Sequence, residues 1–313
     1  MMFSVIIPAY NAAPFIAQSV GSVLAQTVGD FEILVVDDGS VDETRAVVER
    51  LEDSRIRYIH QENQGVSAAR NTGIVNAGGD YVCFLDADDL WLPEHLEVVS
   101  GLIEKFPACG VYLTGHQIRL HNGETLIKNC GQACEDAFCT DNMFRELWER
   151  GYFIHTNSIV CKKSAVDQVG LFEVGVKNGE DDDMWYRLFS YCSAAISKKP
   201  TTMYVRQNSR ATATKVFVDN WVFLRRKDHI LASPEVPENR KRYLRMLLEQ
   251  RKLSEARNLI LRGEKKTAWF RLRQVDRHLV RGKKYWATVA AFLIPSGITA
   301  RMIKARDGKY FRE

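Results

Sequence analysis

The chain has 313 residues, 46% hydrophobic and 26% charged, which is enough apolar content for a substantial core and excludes a disordered chain. Its net charge of +4 conceals a division: residues 1–224 carry 19 Lys+Arg against 30 Asp+Glu, whereas residues 225–313 carry 24 against 9. The acidic and basic parts face different partners.

In chain order, Phe3 to Pro8 reads as a strand. Ala12 to Gln26 reads as an amphipathic helix on the spacing of Phe15, Ile16, Val20, Val23 and Leu24. Phe31 to Val36 is a second strand. Val41 to Leu51 is a second helix, with Ser40 as N-cap and Glu43 as its capping-box partner. A strand at Ile56 to Ile59, a helix at Val66 to Asn76, a strand at Asp80 to Leu85 and a helix at Pro93 to Lys105 complete an alternation that implies a doubly wound, mostly parallel α/β sheet. Beyond Ala108 the pattern loosens. Short strands are expected at Gly110 to Thr114, Gln117 to Leu120, Ser158 to Cys161 and Thr202 to Val205, and helices at Asp141 to Arg150, Lys163 to Val169 and Asp181 to Tyr191. From Val218 onward the pattern is helical and basic, giving an α/β domain over 1–215, with halves 1–106 and 107–215, and a basic helical region over 216–313.

Seven cysteines are an odd number, Cys83 and Cys161 lie in apolar runs, and the chain opens on a strand pattern without a basic-then-apolar leader. These features point to a reducing, cytoplasmic setting. Cys130, Cys134 and Cys139 are spaced by four and five, unlike paired zinc knuckles, so ordinary thiols are expected there. The longest apolar stretch, Trp286 to Ile298, is broken by Pro295 and Gly297 and falls short of the roughly 20 residues that span a bilayer.

The chemistry concentrates at strand ends. The apolar run Tyr81 to Leu85 stops on Asp86, Asp88 and Asp89, which places carboxylates at the carboxyl end of a buried strand, where open α/β sheets bind ligands. Crowded carboxylates resist desolvation unless a cation joins them. Mg²⁺ or Mn²⁺ takes one or two carboxylates while substrate phosphates fill other positions, so a metal-bound phosphate ligand is expected. Asp37 and Asp38 close the second strand before Gly39 and Ser40. There, helix capping competes with ligand binding as the explanation. Pro8 to Asn11, Asp37 to Ser40 and Asp86 to Asp89 should share one rim, and Arg70, in a helix opened by small residues, lies on the face that reaches it.

Four segments, SVIIPAYN, ILVVDDGSVDET, NQGVSAARNTGI and GDYVCFLDADD, in this order and at these intervals, resemble the inverting nucleotide-sugar glycosyltransferases of family 2, with the GT-A fold. The resemblance covers about the first hundred residues. It implies a donor nucleotide edged by Pro8, Ala9 and Tyr10, with Asp38 on a uracil ring, Arg70 beside the nucleotide, Asp86 near the ribose and Asp88 on the metal that bridges the diphosphate. Gly179 to Leu188 resembles the family's Glu-Asp motif, which makes Asp181 the general base. Inversion requires such a residue on the face opposite the leaving diphosphate. Asp182 stands where an apolar or aromatic residue is usual, so a register shifted by one stays open, and an acidic helix start favoured by the dipole is the plain alternative. Glu180 belongs to the same motif. His155, in a segment resembling the acceptor side, and Trp185, which would stack on a sugar, are acceptor candidates set against structural histidine and core packing.

The Gln-x-x-Arg-Trp signature of processive synthases is missing, and Tyr204 to Ser209 resembles the final core strand and loop of single-transfer members. The implied reaction moves one sugar from a UDP-sugar, with Mn²⁺ or Mg²⁺, to a hydroxyl of a polysaccharide or glycolipid. Two alternatives remain at this point. A nucleotidyltransferase would need a glycine-rich phosphate loop where the chain has Pro8 to Asn11, and a catalytically silent binding protein would have no use for Asp38, Asp86, Asp88 and Asp181 together. The basic region mixes Lys and Arg with two apolar stripes, Trp269, Phe270, Leu272, Val275 and Leu279, then Tyr285 to Leu293. It suits an anionic membrane surface, placing the protein at the inner face of a membrane, or a helical bundle docked on the core or on a second subunit of a homo-oligomer. Nucleic acid is not expected, because no recognised motif for it appears.

Overall fold

The computed structural model describes residues 1–120, 122–128, 136–151, 154–176, 179–205, 223–292, 294 and 298. It divides into two compact units, Met1–Pro237 and Glu238–Glu313. The boundary expected near 215, Cys130, Cys134 and residues 206–209 lie outside the described residues.

The first unit is built from strands β1 (Phe3–Ala9), β2 (Phe31–Asp38), β3 (Ile56–Gln61), β4 (Tyr81–Phe84), β5 (Leu90–Trp91), β6 (Val111–Arg119), β7 (Thr125–Lys128), β8 (Ala137–Thr140), β9 (Ile159–Lys162) and β10 (Ala194–Val205). Its helices are α1 (Ile16–Leu24), α2 (Thr44–Glu49), α3 (Val66–Asn76), α4 (His95–Lys105), α5 (Met143–Arg150), α6 (Lys163–Val169), α7 (Glu180–Tyr191) and α8 (Phe223–Ala232). One sheet runs in the order β3-β2-β1-β4-β9-β6-β10-β5, with β7 on β6 and β8 on β10. Its first four strands are all parallel, and β9 then enters antiparallel between β4 and β6. Val5, Ile6, Ile7, Ile33 to Val36 and Val82 to Leu85 are fully buried, as strands covered on both faces must be. The chain winds outward from β1 to β3 and returns on the other side of β1 as β4. The crevice at this reversal is the expected ligand position, and the acidic strand ends lie there.

The small residues of α3 have a packing reason: a Cβ on Gly73 would come within 2.3 Å of Ile6 Cγ2 on β1. Helix and sheet therefore meet closely beneath the site.

Several local expectations give way to tertiary bonds. The second helix begins at Thr44, not Val41, and the Ser40–Glu43 capping box does not form. The Ser40 hydroxyl instead accepts the Asn11 backbone N–H (2.9 Å), and the Thr44 N–H donates to Asp42 (3.0 Å). The first helix starts at Ile16, not Ala12, and the Ala12 N–H donates to Thr44 Oγ1 (2.8 Å). The two strands expected between Gly110 and Leu120 are one, β6. Gly115 lets β6 pass where a Cβ would lie 2.8 Å from the Lys198 carbonyl oxygen, opposite the irregular stretch of β10 between Ile196 and Thr202.

The second unit contains α9 (Glu238–Leu261), α10 (Lys265–Arg273) and α11 (Gly282–Phe292). Leu253, Ala256, Leu272, Val275 and Val280 form its core, with Tyr285, Val289 and Phe292 packed against it. The expected stripes are thus divided: Leu272 and Val275 are buried while Trp269 and Phe270 are exposed, and Tyr285 turns inward while Trp286 turns out. No helix among the described residues is long and apolar enough to cross a membrane.

Candidate active site

The first station lies after β1 and β2. Asp38 is buried and accepts Gln61 Nε2 (2.8 Å), the Gln64 N–H (3.0 Å) and the Gly65 N–H (2.7 Å). It thereby fixes the turn that starts α3. Gly65 sits at φ 91°, in the region that glycine favours, which brings its N–H round to the carboxylate. Asp37 accepts the Ser40 N–H (2.8 Å) and the Tyr58 hydroxyl. Burial alone would raise its pKa, but the bonds from Ser40 and Tyr58 outweigh it and hold the carboxyl below its ordinary value. Tyr10 is exposed just after β1, whereas Ala9 is buried at the end of β1 and Pro8 is half-buried beside it.

The second station is the turn after β4, where each carboxylate has a different environment. Ser19, on α1, donates to the carbonyls of Asp86 (3.0 Å) and Asp89 (2.9 Å) and ties the turn down from below. Asn157 ties it from the side: its Oδ1 accepts the Asp86 N–H (3.0 Å) and its Nδ2 donates to Asp89. Asp89 also accepts the Val205 N–H (2.8 Å), so this buried side chain joins the turn to the end of β10. Its carboxyl is pushed up to about 8, chiefly by burial and then by the charge of Asp86. Asp89 is therefore a structural latch. Asp88 is exposed and, with Pro14, Phe15, Gln18, Leu90, Arg119 and Val205, lines a cleft of about 340 Å³.

Arg70 joins the second station to a third. Only 4% exposed, it donates to Asp86 (2.8 Å), lies 3.6 Å from Glu180 at the start of α7 and stacks on Phe172 (5.5 Å). Burial acts against its charge, but Asp86, Glu180 and Asp181 overcome this and raise its pKa further, so it is a permanent cation. The acidic start of α7 divides by burial. Asp183 is fully buried and paired with Arg187 (2.8 Å), whose guanidinium also donates to the carbonyls of Val169, Gly170 and Leu171. Asp181 is half-buried, accepts the Asp182 N–H (2.8 Å) and places its charge where Arg70 and His155 both feel it.

His155 packs against Tyr204 (4.8 Å) and His116 (5.5 Å), and its Nδ1 accepts the Asn157 N–H (3.4 Å), which leaves the proton of the neutral ring on Nε2. Burial lowers its pKa against the pull of Asp86 and Asp181, so the ring stays neutral near pH 7. Trp185 is 2% exposed, with its ring against Phe84 and Phe172 in the core. No face of it is left to stack on a sugar.

A divalent cation fits Asp88 on physical grounds. Desolvation in the cleft and the neighbouring Asp86 raise the Asp88 pKa, a penalty that a cation would relieve. Among the described residues no group of three or more His, Cys, Asp or Glu side chains is arranged to hold a metal. Ligand oxygens would have to complete the coordination shell, as Mg²⁺ and Mn²⁺ commonly require. The sequence reading missed Ser19, Asn157 and Arg119, none of which stands in an acidic or glycine-rich motif. Asn157 carried the one available signal, its place in the segment resembling the acceptor side.

The architecture is the GT-A fold. It is similar to the crystal structure of Staphylococcus aureus TarS residues 1–349 in complex with UDP-GlcNAc, with a TM-score of 0.71 over 89% of this chain and 83% of that one; at 20% identity the likeness concerns the fold alone. A family model for glycosyl transferase family 2 matches residues 4–168, just over half of the chain. The protein belongs to glycosyl transferase family 2. Relatives include an uncharacterized glycosyltransferase of Rickettsia felis, 34% identical over 195 residues, which are 60% of this chain and 30% of that protein. Another is the UDP-Glc:alpha-D-GlcNAc-diphosphoundecaprenol beta-1,3-glucosyltransferase WfgD of Escherichia coli, 36% identical over 148 residues, 42% of this chain and 58% of that protein. The chain thus spans about 30% of the length of the Rickettsia felis, Rickettsia conorii and Rickettsia bellii relatives and 60% of those of Rickettsia prowazekii and Rickettsia typhi.

Proposed function

We propose that the chain transfers a single sugar from a nucleoside-diphosphate sugar, UDP-linked, to a hydroxyl of a polysaccharide or glycolipid, with inversion. One observation carries the reading: the buried Arg70 links the Asp86 turn to the start of α7, so two acidic motifs about a hundred residues apart in sequence meet across one guanidinium. Residues 1–106 serve the donor and 107–215 the acceptor. Pro8, Ala9 and Tyr10 border the base. Asp38 shapes the pocket through its hold on Gln64 and Gly65 and offers the uracil its remaining accepting capacity. Asp86, oriented by Arg70 and Asn157, faces the ribose.

Asp88 would hold the cation, Mn²⁺ or Mg²⁺, which when bound neutralises charge on the departing diphosphate. Asp181 takes the proton from the acceptor hydroxyl as the bond to the anomeric carbon forms. Asp183, two residues on, is consumed by Arg187 and takes no part, and Asp182 is the alternative base if the register shifts by one. Glu180 holds Arg70, and His155 offers Nε2–H toward the acceptor; Trp185 is assigned no contact with it. The acceptor supports a further proposal, that the basic carboxyl-terminal unit works against an anionic membrane surface.

The test is calorimetric donor binding and hydrolysis across a panel of nucleotide sugars with Mn²⁺. Asp88→Ala should lose metal-dependent donor binding. Asp181→Asn should bind donor as the wild type does and turn over roughly 10²–10⁴-fold more slowly. Wild-type turnover by Asp181→Asn overturns the base assignment, and an absence of heat with every donor overturns the enzymatic reading.

A further inference from the structure

Residues 265–292, which contain α10 and α11, carry eight Lys+Arg and one acidic residue, Asp276. The two helices are tied together: Trp269 meets Phe292 edge-on (5.6 Å), and the Lys265 ammonium donates to the carbonyls of Phe292 (2.8 Å) and Ile294 (2.7 Å), closing the end of α11 onto the start of α10. Their inner sides are used up by the core formed with α9. Their outer sides leave Trp269 at 53%, Phe270 at 63% and Trp286 at 62% exposure.

On each helix, cations stand beside the exposed rings. Lys266 precedes Trp269 and Phe270 by three and four residues and Arg273 follows them by four and three, which puts all four on one side of α10. Lys283 stands three residues before Trp286 on α11, with Lys284 beside it, and both are exposed. A single exposed apolar residue needs no explanation; three large aromatics framed by cations on two joined helices do.

We propose that this aromatic and basic side of α10 and α11 is a seat for an anionic lipid bilayer, with Trp269, Phe270 and Trp286 at headgroup depth and the surrounding Lys and Arg against lipid phosphates. The inference rests on the proposed use of a membrane surface and names the residues that provide it. Indole and phenyl rings favour the water–lipid boundary, and clustered cations add attraction to anionic headgroups. Two copies of this chain meeting through the face would bring like charges together, with Asp276 and the adjacent Glu264 of each copy outnumbered by eight Lys+Arg over residues 264–292, which disfavours self-association. Binding cores between proteins are also depleted in charge, unlike this face.

The experiment is flotation of the full chain, without any nucleotide sugar, with phosphatidylcholine vesicles with and without about 30 mol % phosphatidylglycerol at about 0.1 M salt. The wild type should float with the anionic vesicles only and release at about 0.5 M salt, where screening shortens the reach of the cations. A Trp269→Ser/Phe270→Ser/Trp286→Ser variant, which gives up the Trp269–Phe292 ring contact but changes no buried side chain and keeps the Lys265 bonds to the end of α11, should keep its circular dichroism and partition at least roughly 100-fold more weakly. Brominated lipid should quench tryptophan fluorescence of the wild type and not the fluorescence that remains in the variant. A wild type left at the bottom with anionic vesicles, a variant that floats equally well, a wild-type dimer that the variant dissolves, or a wild type that ignores vesicles while retarding single-stranded RNA each overturns the proposal. Because no donor is present, these results are separate from those that test sugar transfer.

Discussion

Asn157 is the most informative position to perturb, because one buried amide side chain satisfies two partners of opposite kind. Its Oδ1 accepts the Asp86 N–H and its Nδ2 donates to the Asp89 carboxyl. Asn157→Ala strands the part-buried Asp86 amide donor and the buried Asp89 carboxyl acceptor; about 1–3 kcal/mol for each orphaned group gives a loss of roughly 2–6 kcal/mol. Asp89→Asn tests the same bond from the other end. The new amide can still accept the Val205 N–H through one oxygen, but it then turns a donor toward Asn157 Nδ2, and flipping Asn157 would break the bond to Asp86. We expect a loss of about 1–3 kcal/mol for Asp89→Asn and a double variant less destabilised than the sum by at least about 1 kcal/mol, since both changes remove one shared contact. The assay is urea unfolding followed by near-ultraviolet circular dichroism at fixed pH. A loss below about 1 kcal/mol for Asn157→Ala, or strict additivity in the double variant, would refute the description of Asn157 and Asp89 as a single latch.

The close approach of α3 to β1 predicts that Gly73→Ala costs about 1–3 kcal/mol, because its methyl would fall 2.3 Å from Ile6 Cγ2; Ile6→Ala should relieve part of that cost. Equal unfolding midpoints for wild type and Gly73→Ala would show that the contact is slack. His95 is fully buried with Nδ1 on Thr201 Oγ1 (2.7 Å), and burial lowers its pKa from 6.5 to about 3. Above pH 6.5 the ring is neutral in both states and its contribution is complete; as pH falls, the unfolded chain takes up the proton first and stability is lost down to about pH 3, by at most about 1.4 kcal/mol per pH unit. His95→Gln should flatten that part of the stability–pH curve, and an unchanged slope would sink the assignment.

Family membership and the parallel half of the sheet were open to reading because each rests on local pattern. The apolar runs that begin at Phe3, Phe31 and Tyr81, interrupted only by Ser4 and Glu32, read as strands covered on both faces, and the helix Val66–Asn76 continues the strand–helix alternation. The acidic motifs at Asp38, Asp86 and Asp181 were equally visible, since each lies within two residues of an element end.

What the sequence could not assign was the fate of each polar group. Ser40 and Glu43 have the spacing of a capping box, yet the Asn11 N–H claims the Ser40 hydroxyl, because the loop after β1 brings this donor within 2.9 Å of it. Asp86, Asp88 and Asp89 read alike as letters. Tertiary packing pairs the first with Arg70, leaves the second in the cleft and seals the third against Asn157 and Val205. The aromatic stripe of the basic unit was likewise legible as a composition, but which rings turn inward depends on the helix packed against it: Leu272 and Val275 meet the core with α9, and Trp269 and Phe270 do not. Periodicity along a chain is set by the chain's own backbone geometry, whereas burial and hydrogen-bond partnership are set by segments distant in sequence, so the first can be read from residue order and the second only from the folded molecule.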